Sequence, residues 1–113
     1  MHRIETERRD GVVVISAGGE LDAFAAPDLS AAFARDGSDR GLVVNLESVS
    51  FLDSTALGVV VRELRGAKED GYDSRVVLPR GSARRIFEIT TLDRVLPVAA
   101  GLEQALEALT PAS

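Results

Sequence analysis

The stretch Asn45-Leu-Glu-Ser-Val-Ser-Phe-Leu-Asp-Ser-Thr-Ala-Leu-Gly-Val-Val-Val61 sets a polar step, Asp53-Ser54-Thr55, between a strand and an amphipathic helix. Upstream, Leu42-Val-Val-Asn-Leu46 is an apolar run of the length a buried strand requires. Downstream, Leu57, Val60, Val61 and Leu64 recur at i, i+3, i+4 and i+7, which places them along one helix face. Two hydroxyls therefore stand at a helix entrance, and Ser54 is the expected functional centre.

Working outward, Ile4-Glu-Thr-Glu-Arg8 and Val12-Val-Val-Ile-Ser16 flank Arg9-Asp10-Gly11, whose Asp-Gly pair suits the positive φ of a tight hairpin. Pro27 fits the first turn of a helix whose apolar face is Leu29, Ala32 and Phe33 and whose end is expected at Gly37. The pattern then predicts a strand over 42–46, a helix over 55–69, a strand over 75–78, a helix over 82–89 and a strand over 94–98. Pro97, with no N–H to donate, belongs near a sheet edge. In the last segment Leu102, Ala105, Leu106 and Leu109 share a stripe and predict a docked terminal helix. Strands separated by helices pair in parallel through right-handed crossovers, whereas the opening hairpin is antiparallel. The expected fold class is thus α/β, with a mixed, mostly parallel sheet covered by about four helices. The whole chain, 1–113, reads as a single domain, with 110–113 as a frayed tail.

Composition narrows the functions. The chain has 113 residues, 45% of them hydrophobic and 27% charged, as expected of a soluble globular protein. Its net charge of −5 opposes binding to nucleic acid or anionic membrane, and its short apolar runs predict no membrane insertion and no targeting segment. Without cysteine, and with His2 as the one histidine, there is no thiolate chemistry, no Ser-His-Asp set and no His/Cys zinc cluster. Phosphate-cradling glycine loops are also missing. The chain reads as a non-enzyme without cofactor or metal, suited to the reducing cytoplasm.

Asp53, Ser54 and Thr55 are all helix-capping residue types, and loss of a cap costs about 1 kcal/mol. Capping and a functional role can coexist if Asp53 caps while Ser54 faces solvent. On the following helix Gly58 and Val59 lie off the apolar stripe, with Arg62 and Glu63 nearby, and form the candidate partner face; packing under a neighbouring helix is the plainer reading of Val59. Asp22 can likewise be a turn residue between strand and helix.

Phe51-Leu-Asp-Ser-Thr-Ala-Leu-Gly58 closely resembles the Asp-Ser-Ser/Thr-Gly-Leu-Gly signature of bacterial anti-sigma factor antagonists, which have the STAS fold. Gly19-Glu-Leu-Asp22, Val43-Val-Asn-Leu46 and Arg85-Ile-Phe-Glu-Ile-Thr-Thr-Leu-Asp-Arg-Val-Leu-Pro-Val98 resemble further family segments in the family's order. One departure is Ala56, where the family commonly has Gly; its methyl either favours the helix or obstructs an approaching kinase. The resemblance implies phosphorylation at Ser54, with Thr55 as fallback, by an anti-sigma factor that is also a serine kinase. It implies that the unmodified form captures that factor and frees a sigma factor, that phosphorylation ends the capture, and that a separate protein phosphatase restores it. Taken with the helix face read above, the candidate partner-binding positions are Asp22, Asp53, Ser54, Thr55, Ala56, Gly58, Val59 and Arg62. Competing expectations are a constitutive STAS scaffold in a signalling or transport assembly, with Ser54 only a helix cap, and a small-molecule module at the strand ends near Asp22 and Asp53. A receiver domain fits less well, because no acidic pair follows an early strand.

Overall fold

The structure, a computed structural model, describes residues 1–34 and 41–109. Gly37 and the 110–113 tail lie outside the described residues. Strands β1 (His2–Arg9) and β2 (Val12–Leu21) form the expected hairpin, with pairing running from His2 opposite Gly19 to Arg9 opposite Val12. Asp10 (φ 53°) and Gly11 (φ 82°) both take the left-handed conformation of the two-residue turn that matches strand twist. Helix α1 (Ala26–Ala32) starts with Pro27 in its first turn, and Leu29 and Phe33 are buried. Strand β3 (Gly41–Leu52), helix α2 (Ser54–Glu69) and strand β4 (Asp73–Val77) follow. A 3-10 turn over Gly81–Arg84 leads into α3 (Arg85–Ile89), the single turn α4 (Leu92–Val95), the short strand β5 (Val98–Ala99) and α5 (Leu102–Leu109).

The sheet order is β1-β2-β3-β4-β5, antiparallel between β1 and β2 and parallel thereafter. Alternation along the strands supplies two cores. Val13, Ile15, Leu42 and Val44 face α1, α2 and Phe87 of α3. Val12, Val14, Val43 and Val77 face Ala105 and Leu106 of α5. Helices thus cover both sides of the sheet.

Two expectations require correction. β3 continues six residues past Leu46, because the β2–β3 register shifts between Ser16 and Gly18 and again between Gly19 and Glu20. At each shift β3 holds one residue more than β2, so its inward side chains run Leu42, Val44, Leu46, then Val49, then Leu52. That bulged pattern lacks the period of two. Gly19 serves the bulge with φ +76°, and a Cβ there would collide with the Met1 carbonyl oxygen.

The segment 94–98 is not a strand. Leu92–Val95 closes a helical turn, with the Leu96 amide bonded to the Leu92 carbonyl at 2.9 Å, and β5 begins only at Val98. Pro97 sits at the sheet edge as expected, and its carbonyl accepts the Val76 amide at 2.9 Å. The helix expected over 82–89 is divided between the 3-10 turn and α3.

Candidate functional site

Leu21 of β2 pairs with Leu52 of β3, so the next residues on each strand, Asp22 and Asp53, emerge side by side at the carboxyl ends of two parallel strands. The Asp53 amide extends the ladder by donating to the Leu21 carbonyl at 3.1 Å. Asp53 then turns the chain into α2 with extended backbone (φ −93°, ψ 175°), and its Oδ1 accepts the Ala56 amide at 2.9 Å. Asp53 is therefore the N-cap.

Because the cap is supplied by Asp53, Ser54 and Thr55 occupy the first helical positions with exposed side chains. No hydrogen bond among the described residues occupies the Ser54 hydroxyl. Of the two readings, the one in which Asp53 caps and Ser54 faces solvent holds; the competing one, with Ser54 as the cap, does not describe this helix start. Asp22 has the turn role: its Oδ1 accepts the Phe24 and Ala25 amides at 3.0 and 3.2 Å, and its carbonyl accepts those of Ala25 and Ala26.

The apolar arc of α2 is wider than the stripe Leu57, Val60, Val61 and Leu64. Ala56 (0% exposed) and Val59 (6% exposed) are also in the core. The helix packs on the sheet and is flanked by α1, so two sides of it are covered. Neither side chain lies on the exposed partner face, contrary to the reading that set Val59 off the stripe. The Ala56 methyl is enclosed in the core.

Gly58 is exposed, and a Cβ added there would meet nothing within 4 Å. A helix-interior glycine costs about 1 kcal/mol relative to alanine, and no neighbour within the molecule requires this one. Arg62, one turn further, has a side chain 66% exposed, with its Nε 3.9 Å from the Glu63 carboxylate. Ser54, Gly58 and Arg62 line an open groove of about 620 Å3 floored by Leu57, Val61 and Leu92. Across the strand ends Phe24 is 88% exposed, held out by the turn that Asp22 braces. Phe24 and Leu92 escaped the sequence reading. The signal for Phe24 is a lone aromatic among small residues in Asp22-Ala-Phe-Ala-Ala26. Leu92 belongs to the groove only through tertiary packing.

Among the described residues no helix is long and apolar enough to cross a membrane, and no three His, Asp or Glu side chains cluster as a metal site.

A mixed sheet whose second and third strands deliver an aspartate-capped helix with an exposed hydroxyl defines the class: the chain belongs to the STAS domain family, whose model matches residues 3–105. Its similarity to individual members is substantial. An anti-sigma-B factor antagonist of Staphylococcus aureus (strain NCTC 8325 / PS 47) is 34% identical over 102 residues, covering 88% of this chain and 94% of the relative. The crystal structure of an anti-sigma factor antagonist from Mycobacterium paratuberculosis matches with a TM-score of 0.79 and 32% identity over 96% of this chain and 94% of that one. The anti-sigma factor antagonist SpoIIAA in its unphosphorylated form matches with a TM-score of 0.63 and 25% identity, covering 82% of this chain and 97% of that chain.

Proposed function

We propose that this protein is an anti-sigma factor antagonist acting in the cytoplasm as a single STAS domain, and that Ser54 is its switch. The unphosphorylated form binds an anti-sigma factor with serine kinase activity and so releases a sigma factor. Phosphorylation of Ser54 by that partner ends the binding, and a protein phosphatase restores it. The observation that carries this reading is the division of labour at the start of α2, where Asp53 caps the helix and leaves the Ser54 hydroxyl exposed. The relatives named as antagonists support it.

A phosphoryl group adds about −1.5 to −2 charge near pH 7. The N-terminus of α2 tolerates that charge through its dipole and free amides, so the fold survives modification. A partner surface that fits a neutral hydroxyl next to the Asp53 carboxylate instead meets a bulky dianion. Each 1.4 kcal/mol of lost complementarity weakens binding about tenfold, so a local clash suffices.

The test uses wild-type, Ser54→Ala and Ser54→Asp proteins as baits in lysate of the native host, with bound proteins identified by mass spectrometry. Wild type and Ser54→Ala are expected to recover a serine kinase-like anti-sigma factor, and Ser54→Asp is expected to lose it. Equal recovery of the same other assembly by all three sinks the switch and favours a constitutive scaffold.

A further inference from the structure

The groove at Ser54 continues along α2. It shares Val61, Arg65 and Leu92 with a second hollow, of about 460 Å3, that runs between the C-terminal half of α2 and α4 and reaches Tyr72 and Pro97. α2 has 16 residues, so at about 1.5 Å per residue the joined trench follows a path of roughly 24 Å. Its floor is apolar, with Val61, Leu64 and Leu96, and Val95 stands on its rim 72% exposed.

Two cations without an ion-pair partner among the described residues lie along this trench. Arg3, Arg9, Arg62, Arg75 and Arg80 each have a carboxylate within 4 Å. Arg65 and Lys68, which line the trench, have none among the described residues, as is also true of Arg84, Arg85 and Arg94 away from it. Two carboxylates also line the joined trench: Asp73, held by Arg75 at 2.9 Å, and Glu69, on the side of the Ser54 groove. An apolar floor flanked by two uncompensated cations, on a chain of net charge −5, complements a segment that alternates apolar and acidic side chains.

We infer that the trench between α2 and α4 seats an acidic, amphipathic segment of the anti-sigma factor, with Arg65 and Lys68 meeting its carboxylates and Val95 its apolar side chains. This rests on the function proposed above and adds a second contact remote from the phosphorylated end of α2. Ser54 then sets whether the partner is held, while the trench sets which partner is accepted.

The test is titration calorimetry of the purified anti-sigma factor recovered by the wild-type bait, at low and moderate salt. The double variant Arg65→Glu/Lys68→Glu is expected to bind at least tenfold more weakly and with less salt dependence, and Val95→Asp to weaken binding similarly. All three positions are exposed at the rim, so the variants should still melt cooperatively near wild type, with a small loss for the double variant from acidic groups in the last turns of α2. An unchanged Kd in the double variant, with Ser54→Asp still defective, overturns the trench and leaves the function standing. Failure of the wild type to recover any anti-sigma factor overturns both. A wild-type dimer in sedimentation that the double variant dissolves, with anti-sigma binding unaltered, assigns the trench to a second copy and also overturns the proposal.

Discussion

Asp53 and Ser54 are adjacent in sequence yet serve separate physical tasks, since the Asp53 carboxylate accepts the Ala56 amide and the Ser54 side chain stays exposed. Capping was legible in the residue types at 53–55, but three candidates stood in a row and local chemistry alone did not choose among them. The end of β3 decides: Leu52 is the last strand residue, which makes Asp53 the half-in position. Gly58 supplies the sharper test at this scale. Its neighbours leave room for a methyl, so Gly58→Ala should raise stability by about 0.5–1 kcal/mol through helix propensity. The same methyl projects into the groove, so anti-sigma factor affinity should fall by tenfold or more. Urea denaturation and calorimetry on the same preparation read both effects. Gains in both would remove Gly58 from the interface.

Among the elements, α4 departs furthest from its sequence pattern. Thr91 leads into it in the left-handed conformation (φ 59°), which strains a β-branched residue by roughly 1–2 kcal/mol. The Thr91 hydroxyl bonds the Thr90 carbonyl at 2.6 Å, and the Thr90 hydroxyl reaches back to the Ile86 carbonyl, so the α3–α4 turn is held by local side-chain bonds. Thr91→Gly should relieve the strain and raise stability by up to about 1 kcal/mol after the extra entropy of the unfolded glycine is subtracted. Chemical denaturation checks it, and a loss above 1 kcal/mol would show that the hydroxyl contributes more than the strain costs. Arg94-Val-Leu-Pro-Val98 carries β-branched and apolar residues that favour a strand, but Pro97 removes an amide and the Leu92–Leu96 bond closes a helical turn first.

Across the whole molecule, β2 and β3 lie inside the sheet with helices on both faces, whereas β5 is a two-residue edge and α4 a single turn. Native-state hydrogen exchange should therefore find the slowest amides in β2 and β3 and the fastest in α4 and β5, leaving the α2–α4 trench free to adjust. Uniform protection across these elements would refute that order. The sequence by itself determined the hairpin at Asp10-Gly11, the α1 start at Pro27, the parallel α/β order and the placing of Asp53-Ser54 at a helix entrance. Those features depend on backbone preferences and side-chain periods that act within a few residues. Tertiary structure alone decided the full length of β3, the burial of Ala56 and Val59, and the trench that brings Leu92 beside α2. Bulges break the strand period that a linear reading follows, and the buried arc of a helix is set by which neighbours cover it.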